Sequence, residues 1–309
     1  MIGIFGAGGA IGKSVAAEAQ RRGIRLRVVG RHAASLEKAY GGAHEIVIAD
    51  LGDPDDVMRA AQGLDAIVHA IGVPYNRFDL HPKIMRQVVD AARRSGVARL
   101  LLVSNVYSYG APQTGRVAED HPRRPTTYKG KMRKEQEDVA LGADSAALHT
   151  AVLRLPDFFG PDAEFSLTNE IFKSAKTGKS AAVIAPIDTP HEFVFTPDVG
   201  PVVLDLLARD DVYGQAYNFA GPGTMTMREF ATRVYEGFGK RPQLAIVRPW
   251  MLYLIGMFSP FIRELIEMEY LQKTPVLLDD SKLQRTLGEL KKTSYEDGIA
   301  RTVAALATR

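Results

Sequence analysis

At 309 residues, 46% of them hydrophobic and 24% charged, the chain is long enough to bury one large core and suits an α/β protein. Its 39 Lys+Arg are interspersed with 36 Asp+Glu for a net charge of +3, which argues against a nucleic-acid partner, and the lack of cysteine excludes disulfides and thiolate chemistry. The start has neither the basic lead nor the cleavage site of a signal peptide, and no apolar run reaches the roughly 20 residues that cross a bilayer, so a cytoplasmic location without a membrane partner is expected.

The first dozen residues, Met1 to Gly12, run from a short apolar strand into glycines at positions 6, 9 and 12. Small residues at Gly6, Gly9 and Gly12, with Ala10 and Ile11 in the same turn, let the backbone turn sharply and approach a pyrophosphate, with helix N–H groups aimed at it. A helix follows, with Ile11, Val15 and Ala19 at steps of four and a stop at Gly23. A second strand around Leu26, Val28 and Val29 ends at Gly30, where a dinucleotide fold reads the adenosine ribose. An acid there favours NAD; here stands Arg31, with His32 and Ser35 behind it and no acid before Glu37. A guanidinium suits the 2′-phosphate of NADP, the cofactor expected in preference to NAD, although Arg31 also reads as an ordinary surface arginine.

A third strand, Glu45 to Ala49, runs into Asp50 and Leu51, where Asp50 reads either as an adenine contact or as a turn former. Asp53 caps the next helix, with Pro54 at its first position. The fourth strand, Asp65 to His69, delivers Ala70, Ile71 and Gly72 to the same edge, and His69 within it reads as a hydrogen-bonded core histidine. A long helix carrying Leu80, Ile84, Val88 and Ala91 leads to a fifth strand, Arg99 to Val103, which opens onto Ser104, Asn105, Tyr107 and Tyr109. Strands that keep returning small or polar residues to one edge define a doubly wound parallel sheet, a Rossmann fold, with its ligand crevice there.

Gly6, Gly9 and Gly12, Asp50-Leu51, Val68 to Gly72, Ser104 through Gly110, Lys131 with Glu135, Leu153 to Pro161 and Glu192 to Val199 together resemble the extended short-chain dehydrogenase/reductases, the NAD(P)-dependent epimerase/dehydratase group. The likeness spans nearly the whole chain. It implies cofactor contacts from the glycine turn, Arg31, Asp50, Leu51, Ala70, Ile71, Gly72, Ser104, Lys131, Leu155 and Pro156, and substrate contacts from Tyr107, Phe158 and His191. Members of the family use a Ser or Thr, a Tyr, and a Lys four residues after that Tyr. Here the serine position holds Asn105; if Lys131 is the family lysine, the tyrosine position holds Thr127, and Tyr128 lies only three residues before the lysine. Asn105, Tyr128 and Lys131 are therefore the expected catalytic set, with Tyr128 entering the site if the helix begins later or shifts by one residue. Tyr107 or Tyr109 is the alternative source of a phenol.

Residues 1–160 are expected to form the NADP-binding domain, with 190–220 returning to it, and 161–309 mainly a smaller substrate lobe. Within that lobe, Thr226 to Glu229 reads as a capping box and Ser294 to Asp297 resembles one, while Pro249 to Ile262, the most apolar stretch, reads as core in preference to a place that receives an apolar group or a partner subunit. No histidine sits at a metal-ligand spacing. The chain is thus expected to be an NADP(H)-dependent oxidoreductase or epimerase/dehydratase acting on a small-molecule substrate, with a homodimer compatible. The alternative is a non-catalytic NADP(H)-sensing binding protein.

Overall fold

A computed structural model describes residues 1–164, 166–257, 264 and 266–308. Its centre is a seven-stranded parallel sheet built from β1 (Ile2–Phe5), β2 (Leu26–Gly30), β3 (Glu45–Ile48), β4 (Ala66–His69), β5 (Arg99–Asn105), β6 (His149–Leu155) and β11 (Gln215–Asn218). The order β11-β6-β5-β4-β1-β2-β3 reverses at β1, and β1 pairs in parallel with both β2 and β4. Phe5 lies level with Val29 and His69, so the turn after β1 opens beside Gly30 and Ala70 on the carboxyl edge. Ligands bind at such a reversal point because loops on either side diverge and leave a crevice.

Helices cover both faces. On one lie α1 (Ala10–Arg21), α2 (Ala33–Tyr40) and α7 (Val199–Leu207), over a core of Ile4, Val15, Val28, Leu101 and Val203. The other carries α3 (Pro54–Ala61), α4 (Leu80–Arg94) and α5 (Tyr128–Leu141), over Phe5, Val57, Ile67, Met85 and Val152. α1 and α7 pack so closely that a Cβ on Gly200 would lie 2.3 Å from the Ser14 carbonyl oxygen. Asp53 caps α3 by accepting from the Asp55 amide, with Pro54 first in the helix.

A second core of Phe159, Phe172, Phe193, Phe230 and Tyr295 holds the C-terminal lobe together. It gathers α6 (Asn169–Thr177), α8 (Met227–Gly237) and the helix Tyr295–Ala307, with three two-stranded sheets: β7 (Asp157–Phe159) with β10 (Phe193–Phe195), β9 (Pro190–His191) with β12 (Met225–Thr226), and β8 (Ala181–Ile184) with β13 (Leu244–Val247). Thr226 and Glu229 form the capping box reciprocally, and Ser294 accepts from the Asp297 amide.

One reading changes. Of the stretch expected to be core, residues 258–262 lie outside the described residues. In the part that is described, α9 (Pro249–Gly256), Leu252 is buried at 2% exposure, but Trp250, Tyr253 and Leu254 face outward. A helix apolar all round must bury one side and leave the other for solvent or a partner.

Candidate active site

The loop from Gly6 to Gly9 divides its glycines into two jobs. Gly6 has φ +98°, and a Cβ there would sit 2.6 Å from the Ala70 carbonyl oxygen; one on Gly12 would sit 2.5 Å from that of Gly6. These two let β1, α1 and the strand beside them close together. Gly8 has nothing within 4 Å of its would-be Cβ, and Gly9 is the N-cap of α1 with no side-chain cap and no acid in the first turn. The N-terminal amides of α1 therefore face open space from a glycine surface, which suits an incoming phosphate. Lys13, one residue past Gly12, pairs with Asp162 of the lobe at 3.0 Å.

Around this cradle, Arg31 follows β2, exposed and without an ion pair or hydrogen bond among the described residues. Asp50 is exposed and accepts from the Gly52 amide at 3.0 Å, which ties one carboxylate oxygen into the turn. Leu51 is buried beneath it. Ala70 and Ile71 are half-buried against the Gly6 turn, and Gly72 is open. At the end of β6, Leu155 and Pro156 are buried and Phe158 half-buried.

The start of α5 fixes which of its side chains are buried. Thr127 is its N-cap, accepting from the Gly130 amide at 3.1 Å, so the helix starts at Tyr128 and the register does not slide. Tyr128 is 52% exposed and Lys131 is exposed, both turned away from the sheet. The inward face instead carries Lys129 and Arg133, four residues apart and both buried. On this buried face a four-residue step is occupied by lysine and arginine, and no tyrosine stands on it. Lys129 Nζ donates to Glu264 at 2.6 Å and Glu267 at 2.5 Å, and sits over the rings of Tyr75 and Phe78. Glu267 also accepts from the Tyr128 amide at 2.9 Å, locking the helix start to this segment.

Arg133 has neutral hydrogen-bond partners. It donates to Asn105 Oδ1 at 3.3 Å, His81 Nδ1 at 3.1 Å and Gln136 Oε1 at 2.7 Å, and Gln136 continues to His69 Nε2 at 3.2 Å. Burial, the largest effect, pushes the arginine down to about 10 and both histidines well below their ordinary range. Asn105 also accepts from the Tyr107 amide at 3.1 Å, so its oxygen is spent and its Nδ2 amide remains to donate.

Arg133 and Asp157 both act electrostatically on the hydroxyl pair Tyr75–Tyr107, whose oxygens are 3.2 Å apart. Burial pushes Tyr107 well above the usual phenol range. It also raises the carboxyl of Asp157, against which the nearby His191 ring works. His191 Nδ1 contacts the Thr189 carbonyl at 2.8 Å; since a carbonyl only accepts, Nδ1 carries the proton. Nε2 is then a lone pair, buried and without a partner, as is the hydroxyl of Tyr270. Unpartnered buried polar atoms cost stability unless a ligand or water meets them.

Ser104 belongs to a different network. Its hydroxyl donates to Glu137 at 2.5 Å, and that fully buried carboxylate also accepts from Ser108, Arg123 and Arg154. Tyr109 is likewise committed, donating to Asn218 at 2.8 Å and accepting from Arg154. Sequence reasoning missed Lys129, Arg133 and Asp157. The signal that identifies the first two is the run Lys129, Arg133, Glu137, polar residues at steps of four along a helix with no apolar stripe.

Sheet order, glycine turn and crevice define a dinucleotide-binding protein whose site lies at the carboxyl edge. Residues 6–153 match the family model described as NAD(P)H-binding. Uronate dehydrogenase from Pseudomonas syringae pv. tomato is 32% identical over 163 residues, 50% of this chain and 58% of the relative, so the chain spans less than two thirds of that relative's length. Sterol demethylase protein B from Methylococcus capsulatus is 26% identical over 261 residues, 79% of this chain and 76% of its own. The dTDP-glucose 4,6-dehydratase DesIV from Streptomyces venezuelae, solved with NAD bound, superposes with TM-score 0.83 at 20% identity, covering 99% of this chain and 97% of its own. The first half of the chain thus matches an NAD(P)H-binding family model, and the whole chain has the fold of a dehydratase solved with NAD bound.

Proposed function

We propose that the chain is an NADP(H)-dependent oxidoreductase that moves a hydride at a carbonyl or alcohol of a small molecule, either as its net reaction or as a transient step in epimerisation or dehydration. The observation that carries the reading is the open phosphate turn at Gly8 and Gly9, on the same sheet edge as the buried Arg133–Asn105 pair. Bound NADP(H) would supply the hydride.

The chain's own residues bind and orient. The α1 amides take the pyrophosphate and Arg31 the 2′-phosphate. Arg133, its Nε and Nη1 already engaged, turns its remaining Nη2 donors to the nicotinamide ribose hydroxyls. Asn105 Nδ2 donates to the substrate oxygen and polarises it. His191 Nε2 accepts the hydroxyl proton when an alcohol is oxidised and returns it when a carbonyl is reduced, with Asp157 beside it. Lys129, held by Glu264 and Glu267, ties the start of α5 to that later segment.

One observation favours a second reading. No phenol stands at the family's tyrosine position, and an NADP(H)-responsive binding protein would tolerate that loss. Fluorescence titration with NADPH and NADH, alongside Arg31→Ala, tests the part common to both. NADPH should bind at least about tenfold tighter than NADH, roughly 1.4 kcal/mol, and the substitution should erase the gap. If neither nucleotide binds, both readings go. Nucleotide oxidation or reduction is then followed with a uronate, a UDP-sugar and a 3β-hydroxysteroid, the compound classes that relatives' names carry. Turnover with any of them, lost in Asn105→Ala, excludes the binding-protein reading.

A further inference from the structure

Among the described residues, the largest concentration of exposed apolar side chains lies on α9 and the residue that follows it. Trp250, Tyr253, Leu254 and Met257 are 59%, 57%, 50% and 67% exposed. Their spacing of three, one and three residues places them on a single helical stripe. The helix is apolar all round, buried on one side through Leu252 and bare on the other, and Ile246 of β13, 42% exposed, adds to the exposed apolar surface.

Along the sequence, charge around the stripe is one-sided, and the acids that follow, Glu264, Glu267 and Glu269, are each paired with a lysine. Residues 237–263 contain Lys240, Arg241, Arg248 and Arg263 and not one Asp or Glu, in a chain whose 39 basic and 36 acidic residues are otherwise interspersed. Lys240, Arg241 and Arg248 are all exposed, and none of them pairs with a carboxylate among the described residues. Arg248 immediately precedes the helix.

We propose that this face of α9 docks on an anionic lipid bilayer, with the chain lying on the membrane surface and not crossing it. Leu254 and Met257 enter the acyl boundary, while Trp250 and Tyr253, apolar rings with one polar atom each, sit at headgroup level. The three exposed cations meet the negative surface. A second copy of the chain fits the face less well, because a two-fold pairing would bring Arg248 and its neighbours toward their own mates without an intervening acid. Among the described residues no helix is long and apolar enough to span a bilayer, which leaves surface docking as the available mode.

The chain has a single tryptophan, and it stands on the stripe, so its fluorescence reports the contact directly. The full chain is mixed with vesicles of phosphatidylcholine alone or with about one third phosphatidylglycerol, and binding is also followed by cosedimentation. The expected result is a blue shift and cosedimentation with the anionic vesicles, at least about tenfold weaker with neutral ones and weakened by salt. Leu254→Ser with Met257→Ser should cut binding about tenfold or more, and Lys240→Gln with Arg241→Gln and Arg248→Gln should remove the preference for anionic lipid. Melting temperature and NADPH affinity should stay unchanged in both, since none of these side chains is buried. Absence of both shift and cosedimentation overturns the proposal, as does a blue shift that follows protein concentration without lipid and accompanies dimer formation in sedimentation velocity.

Discussion

Arg133 Nη1 donates to His81 Nδ1 at 3.1 Å, so a buried guanidinium leans on a neutral imidazole and not on a carboxylate. A guanidinium cannot accept, which fixes the imidazole proton on Nε2. Arg133 thereby brings positive charge with neutral hydrogen-bond partners to the crevice where the nicotinamide half of the cofactor is proposed to lie.

From that placement, Arg133→Met should weaken NADPH binding about tenfold or more, at least ~1.4 kcal/mol. Binding of 2′,5′-ADP, which lacks the nicotinamide ribose, should not change. Calorimetric titration of both ligands separates the outcomes: equal losses would place the defect in the fold or the adenosine half.

Ser104 Oγ donates to Glu137 at 2.5 Å within a buried network that includes Arg154 and Arg123. Ser104→Ala should therefore cost about 1 kcal/mol of unfolding free energy, the value of a hydrogen bond to a charged group less some relaxation, with NADPH affinity unchanged. Glu137→Ala should cost more, about 3–5 kcal/mol, because it leaves the Arg154 guanidinium buried and unpaired. Urea melts beside nucleotide titrations decide this. A loss of affinity in Ser104→Ala without a loss of stability would return the serine to the cofactor site.

The sheet and the glycine turn were legible because their signals are local: apolar runs of strand length, glycines at fixed steps, and Asp53-Pro54 or Thr226 with Glu229 marking helix starts. α5 was harder to read. Lys131 with Glu135 and Lys129 with Arg133 are both four residues apart, and only the position of the Thr127 cap selects between faces about 100° or more apart. Long-range partners were out of reach: that Glu264 and Glu267 hold Lys129, or that Glu137 takes Ser104, depends on chain segments brought together by the fold. For Trp250 and its neighbours, hydropathy measures apolar content and is silent on which side of a helix the core lies.

Two buried groups give opposite dependences of stability on pH. His69, ordinarily near 6.5, is held down to about 3, chiefly by burial and then by Arg133. The unfolded chain binds its proton first, so its contribution is complete above pH 6.5 and is lost as pH falls toward 3. Glu192, ordinarily near 4.5, is raised to about 7 by burial, partly offset by the Leu278 amide and by Arg116. Here the folded state holds the proton more tightly, so the contribution is complete below 4.5 and lost as pH rises through 7. Between pH 6.5 and 5, His69→Leu should lose about 2 kcal/mol less than the wild type; between pH 4.5 and 8, Glu192→Gln should gain up to ~3 kcal/mol on it. Urea midpoints across this range test both, and parallel curves for wild type and variants would refute the assignment.

The glycine turn permits a sharper separation of folding from binding. On Gly12 a Cβ would meet the Gly6 carbonyl oxygen at 2.5 Å and the Ala7 Cα at 2.6 Å, both backbone atoms that cannot swing aside. Gly12→Ala should therefore destabilise the fold by about 1–3 kcal/mol, as overpacking does, and lose nucleotide binding along with it. On Gly8 a Cβ would meet nothing within 4 Å, and the residue lies outside the left-handed region, so Gly8→Ala should leave the urea midpoint essentially unchanged. The added methyl would instead occupy the approach of the pyrophosphate, and NADPH affinity should fall about tenfold, near 1.4 kcal/mol. Melts and titrations on the two variants decide the matter. If Gly8→Ala binds NADPH as tightly as the wild type, the phosphates do not pass over this turn and the proposed cofactor placement fails.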